Sequence, residues 1–182
     1  MTKKQLVIFT IAQYILRLLN FLKPNFIENK FNLIIDIFRC ASWRLKLKRF
    51  GNDSFIHRGV VIHGSANVEL GDRVAIGEYC YMWGNAGISI GDDTLIAAGC
   101  QITTLSHDDK ALIYRKSSTA ASISIGRNVW LGFGVKVMPG ISIGPNSIIG
   151  AGSVVTRNIP ANVVALGAPA RVIRVLTQHS PV

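Results

Sequence analysis

Ile125-Gly-Arg-Asn-Val-Trp-Leu-Gly-Phe-Gly-Val-Lys-Val-Met-Pro-Gly-Ile-Ser-Ile-Gly-Pro-Asn-Ser-Ile-Ile-Gly-Ala-Gly-Ser-Val-Val155 decides the fold. Ile125, Leu131, Val137, Ile143, Ile149 and Val155 recur in it every six residues, and Gly126, Gly132, Gly144 and Gly150 directly follow four of them. A period of six fits neither a helix of 3.6 residues per turn nor a strand that alternates every two. It fits a solenoid in which one short strand and one turn take six residues. Each aliphatic then points inward and stacks on the next coil. The glycine after each rung sits where the chain bends, and glycine bends at the lowest steric cost.

The same register appears upstream. One ladder runs Ile56, Ile62, Val68, Val74, and a shorter one runs Ile90, Ile96, Ile102. Cys80 falls six residues after Val74 and reads as a small apolar rung. The register breaks between Val74 and Ile90, which predicts a distorted turn around Trp83-Gly84-Asn85. A larger break separates Ile102 from Ile125 and predicts an excursion over 105–122, with His107, Asp108, Asp109 and Lys110 near its start. A loop that escapes the packing rule of each coil is where binding and catalytic groups collect.

Composition restricts the function classes. The chain has 182 residues, 17 glycines and a net charge of +10, enough for one domain with a sizeable core. Residues 1–50 hold ten Lys or Arg against two acids, so +8 of that charge is N-terminal and the repeats are nearly neutral. The repeat body therefore carries no basic surface of its own, and no nucleic-acid partner is expected. Cys40, Cys80 and Cys100 have neither zinc spacing nor a disulfide pattern, and read as reduced thiols of a cytoplasmic protein.

Residues 1–44 read as a helical segment. Thr10, Gln13, Arg17 and Asn20 line one helical face, and Asn29, Asn32, Asp36 and Arg39 line another after a break at Lys23-Pro24. The apolar stretch from Leu6 is interrupted by Arg17 and lacks a small-x-small cleavage site, so neither a membrane span nor a signal peptide is expected. Two alternatives stay open for these amphipathic helices. They pack on the solenoid or on partner subunits, or they make a peripheral contact with an anionic membrane surface. The Arg-Leu-Lys-Leu-Lys-Arg run at 44–49 alternates basic and aliphatic residues and predicts a first capping strand. The solenoid is therefore expected over 45–174, with a tail at 175–182.

Ile125-Gly-Arg-Asn-Val-Trp-Leu-Gly, Met138-Pro-Gly-Ile-Ser-Ile-Gly, Ile149-Gly-Ala-Gly-Ser-Val-Val-Thr and Gly167-Ala-Pro-Ala-Arg-Val-Ile-Arg together resemble the hexapeptide-repeat acyltransferases, and most closely the galactoside, maltose, xenobiotic and exopolysaccharide O-acetyltransferases. The resemblance covers about residues 55–174 and implies an all-β solenoid, a left-handed parallel β-helix of hexapeptide repeats, usually trimeric. The left hand comes from the resemblance alone, since crossovers between parallel strands are ordinarily right-handed. Its implied activity is transfer of an acetyl group from acetyl-CoA, without a metal, to a sugar hydroxyl. His107 occupies the place of the family's general base, a role suited to an imidazole, which can take up a proton and return it.

The resemblance also implies a CoA site at Trp130, Ala151, Gly152, Thr156, Arg157, Arg171 and Arg174. The three arginines would meet phosphates. Arg157 stands where the galactoside enzymes carry Lys, and Phe133 where they carry a small polar residue. Asn85, in the distorted turn, and Asp108, beside His107, are candidates for the acceptor side. The basic N-terminus favours a surface polysaccharide or lipopolysaccharide acceptor, with the protein cytoplasmic and held at the inner face of the membrane. A free small molecule such as a soluble sugar, serine or an antibiotic is the alternative acceptor. The zinc carbonic anhydrases of this fold need a close His pair in the loop, and only His107 lies there. An ice-binding solenoid needs an outward Thr ladder, which is missing. His57 and His63, six apart after Ile56 and Ile62, read as stacked turn residues rather than metal ligands.

Overall fold

The computed structural model describes residues 24–177, with side chains from residue 35 onward. The chain divides into two compact units between Phe38 and Arg39. The candidate helix carrying Thr10 to Asn20 lies outside the described residues. The second helix is present as α1, Pro24–Lys46. It begins on the proline, whose missing N–H and fixed φ suit a first helical position. Among the described residues no helix is long and apolar enough to cross a membrane.

The strand expected over 44–49 is a helix end instead. α1 continues through Lys46, and only Arg49–Phe50 pairs as strand, Arg49 with Glu69 and Phe50 with Leu70. The alternation of basic and aliphatic residues is real, but Trp43 and Leu47 are four apart and share a helical face. Leu47 donates its N–H to the Trp43 carbonyl at 2.9 Å and is 7% exposed, and Trp43 packs on the core. Burying these two side chains outweighs the local strand pattern, and Leu45 between them points to solvent.

From Arg49 onward the chain winds through three parallel sheets in turn. The first sheet stacks Arg49–Phe50, Val68–Leu70, Ile88–Ile90, Ile123–Ile125 and Ser142–Ile143. The second stacks Phe55–Ile56, Ala75–Ile76, Leu95–Ile96, Trp130–Leu131 and Ile148–Ile149. It ends on an antiparallel hairpin of Val163–Gly167 and Ala170–Val175. The third stacks Val61–His63, Tyr81–Trp83, Gln101–Thr103, Lys136–Val137 and Val154–Val155. Every rung of the three sequence ladders lies inside, from Ile56 at 0% to Ile62 at 9% exposure. Burial of each such side chain contributes about 1.5–3 kcal/mol. The thiols of Cys80 and Cys100 are buried among them and donate to the carbonyls of Ala97 and Gly132, both at 3.2 Å.

The glycine that follows a rung has a different cause from the one the sequence suggested. Gly132 and Gly144 are not among the residues with positive φ. A Cβ on Gly132 would lie 2.6 Å from the Ala151 nitrogen, and one on Gly144 would lie 2.4 Å from the Ala161 nitrogen. The next coil's backbone passes too close for any side chain. Left-handed φ falls instead on Asn128, Asn146 and Asn162 at the corner between the first and second sheets. Asparagine tolerates that conformation. Asn128 donates to Asn146 and Asn146 to Asn162, both at 3.0 Å, so the coils are tied along that corner.

Candidate active site

Between Thr103 and Ile123 the chain leaves the solenoid at the corner between the third and first sheets. The excursion is a two-stranded antiparallel hairpin, Leu105–His107 against Ser118–Ala120, with His107 opposite Ser118. A 3-10 turn at Tyr114–Lys116 closes it.

His107 is exposed at the hairpin end, and its Nδ1 lies 2.6 Å from the Tyr114 carbonyl oxygen. A carbonyl only accepts, so Nδ1 carries the proton and Nε2 holds the free lone pair of the neutral ring. The Tyr114 oxygen also accepts from the Ser117 hydroxyl at 2.9 Å and the Ser117 N–H at 3.0 Å. Asp108 does not orient the imidazole. Its Oδ1 accepts the Lys110 N–H at 3.0 Å, and its own N–H donates to the Ser117 carbonyl at 2.9 Å.

Thr104 anchors the hairpin base. It is fully buried, and its N–H and hydroxyl both donate to the Trp83 carbonyl, at 2.8 and 2.7 Å. Its Oγ1 also accepts the Ala86 N–H at 3.2 Å. The distorted turn therefore exists at Gly84–Gly87 and is bonded directly to the excursion. Asn85 lines a cleft of about 540 Å³ together with Lys48, Asn67, Glu69, Ser122 and Ser124. Ser122 is the last residue of the excursion, whereas His107 and Asp108 do not line this cleft.

The remaining sequence candidates stand elsewhere. Trp130 is half-exposed on the second sheet, in register with Ile148. Ile148 pairs with Val164, and Val164 with Arg174, so Trp130 and Arg174 share a row about 14 Å long at ~4.8 Å per strand. Arg171 lies on the same terminal strand, opposite Leu166. Ala151 and Gly152 form the exposed turn between the second and third sheets. Gly152 has φ +69, and nothing lies within 4 Å of where its Cβ would be. Thr156 and Arg157 are exposed at the corner between the third and first sheets, two coils beyond the hairpin.

One chain thus places His107 on the corner that does not border the sheet of Trp130, Arg171 and Arg174. Sequence reasoning missed the Tyr114 carbonyl, the Thr104 anchor and an aromatic cluster of His63, Tyr81 and Trp83. The first two have no side-chain signature. The third was visible only as an offset of 20 residues between His63 and Trp83. His57 sits 3.5 Å from Glu78 and edge-on to Phe55. Among the described residues no three potential metal ligands gather.

Two repeat families match the chain, the bacterial transferase hexapeptide (six repeats) over residues 122–157 and the hexapeptide repeat of succinyl-transferase over residues 67–104. Over 156 residues it is 36% identical to the galactoside O-acetyltransferase of Escherichia coli K12, covering 83% of this chain and 70% of that protein. It spans little more than half of several other curated relatives, for example 54% of the Lactococcus lactis galactoside O-acetyltransferase. Among solved structures it resembles a maltose O-acetyltransferase from Clostridium difficile 630. The TM-score is 0.71 at 34% identity, over 75% of this chain and 73% of that one. It also resembles a hexapeptide-repeat acetyltransferase from Vibrio cholerae complexed with acetyl-CoA. Here the TM-score is 0.73 at 28% identity, over 82% and 85% of the two chains.

Proposed function

The chain belongs to the hexapeptide-repeat acyltransferases, left-handed parallel β-helices, and is an acyl-CoA-dependent acetyltransferase; from that premise we propose that it moves an acetyl group from acetyl-CoA to a sugar hydroxyl, with His107 as general base. The observation that carries the base assignment is the bond from His107 Nδ1 to the Tyr114 carbonyl, which leaves Nε2 as the free nitrogen.

Nε2 takes the proton of the acceptor hydroxyl as that oxygen attacks the thioester carbonyl carbon. The tetrahedral intermediate collapses, the carbon–sulfur bond breaks, and the imidazolium returns the proton to the departing thiolate. The CoA site proposed on this chain comprises Trp130, Ala151, Gly152, Thr156, Arg157, Arg171 and Arg174. The arginines answer the phosphates, and the open turn at Gly152 admits the pantetheine chain against backbone.

His107 and the Trp130–Arg174 row occupy different sides of one solenoid. That separation supports a homotrimer in which His107 of one subunit faces the CoA surface of its neighbour. Asn85 and Asp108 belong to the acceptor side of this proposal.

The acceptor class we favour is a surface polysaccharide or lipopolysaccharide sugar, handled by a cytoplasmic protein at the inner membrane face. Residues 1–44 supply the contact. Ile35, Ile37 and Phe38 are exposed on α1, beside a segment that holds most of the chain's positive charge. Titration calorimetry with acetyl-CoA, followed by a transfer assay on pyranosides with His107→Ala, tests the central reading. Failure to bind acetyl-CoA overturns it.

A further inference from the structure

Three aromatic side chains gather on the outer face of the third sheet. His63 and Trp83 occupy one row in adjacent coils, with ring centroids 4.7 Å apart and planes 30° from parallel. Tyr81 tilts toward both, at 5.5 Å from His63 and 6.4 Å from Trp83. His63 is exposed and Tyr81 is 38% exposed. No core requirement puts these rings here. The inward position between Tyr81 and Trp83 is Met82, fully buried, and the inward position before His63 is Ile62.

The row continues to Thr103, which has no ring, so the aromatic surface stops where the hairpin of His107 begins. The Trp83 carbonyl holds both the N–H and the hydroxyl of Thr104, the last residue before that hairpin. The cluster is thereby joined to the strand that carries the candidate base.

We propose that His63, Tyr81 and Trp83 form the acceptor-recognition surface and select a pyranose ring. This rests on the acetyltransferase reading above. The chemistry is complementary. Aromatic faces carry partial negative charge and attract the polarised C–H bonds on the apolar face of a pyranose. An open-chain polyol such as galactitol offers no such flat face. The link through Thr104 sets the stacked sugar in register with His107. A serine, or an acceptor bound only through its charge, gains nothing from this surface.

The experiment uses the full-length protein, with p-nitrophenyl β-D-galactopyranoside, methyl pyranosides and galactitol as acceptor probes and acetyl-CoA as donor. The wild type is expected to prefer pyranosides over galactitol by at least about tenfold in kcat/KM. Trp83→Leu is expected to raise pyranoside KM about tenfold with kcat within about twofold, as loss of one stacked aromatic predicts. Trp83→Phe keeps a smaller ring, so it falls between. Acetyl-CoA affinity and the melting temperature should be unchanged in both. An unchanged KM in Trp83→Leu overturns the proposal, as does a wild type that acetylates galactitol or serine as well as pyranosides. So does a loss confined to kcat and melting temperature, which would make Trp83 a structural support of the hairpin. If the wild type binds no acetyl-CoA, the acetyltransferase reading fails first, and that result is distinct from a failure of the aromatic surface alone.

Discussion

His107 Nδ1 sits 2.6 Å from the carbonyl oxygen of Tyr114, seven residues further along the same hairpin. The bond ties the imidazole to backbone rather than to a carboxylate. A backbone carbonyl fixes the tautomer as an Asp would, without adding a negative charge beside the ring.

Replacing His107 by Ala should lower kcat by about 10²–10⁴-fold, as loss of a general base does, and leave the acetyl-CoA dissociation constant nearly unchanged. Steady-state kinetics with calorimetry checks both. Retention of most activity would move the base elsewhere.

Thr104→Val keeps the shape of a buried side chain and removes the hydroxyl that bonds the Trp83 carbonyl and the Ala86 N–H. The Ala86 donor is left unmade, which costs about 1–3 kcal/mol. The hairpin base loosens, so kcat should fall about tenfold or more, because small misplacements of a catalytic group are expensive. Acetyl-CoA binding should persist. A variant with normal kcat and a lowered melting temperature would show that Thr104 stabilises the coil without positioning His107.

Acetyl-CoA should raise the melting temperature by mass action, since it binds only the folded protein. Arg171→Ala or Arg174→Ala should shrink that shift, and so should salt, because both residues are exposed and their charges are screened. Thermal scans at low and high ionic strength check this. A shift that ignores both arginines and salt would move the phosphate contacts to other residues.

Liposomes containing anionic lipid should capture the full-length protein, at about 1 kcal/mol per basic residue near the surface plus a contribution from apolar burial. The deletion that tests this stops at Phe38, because Trp43 and Leu47 pack on the core. A truncated protein that stays active and no longer floats with liposomes supports the anchor. A full-length protein that never floats, together with a truncated one that aggregates, assigns these residues a packing role.

The six-residue ladder was legible because each coil repeats one rule, an aliphatic inward and a tight turn after it. Ile125 to Val155 obeys that rule without interruption, and every rung is buried. The excursion was legible for the opposite reason, since it breaks the rule between Ile102 and Ile125. At 44–49 the reading failed, because a strand-like alternation competed with one long-range contact, Trp43 and Leu47 on the core, and tertiary burial won. The glycines were placed correctly for another reason, since the approach of the neighbouring coil at Gly132 is a contact across 19 residues that no local rule contains.

The sequence by itself determined the solenoid, its coil length, the position of the loop and the identity of His107 as its one histidine, because all four are properties of spacing along the chain. Only the tertiary structure decided which nitrogen of His107 is free. Only it set His63 on Trp83, and only it put the hairpin on a different side from Trp130 and Arg174. These are relations between coils, and the register that creates them follows from backbone hydrogen bonds between residues 18, 20 or 35 positions apart.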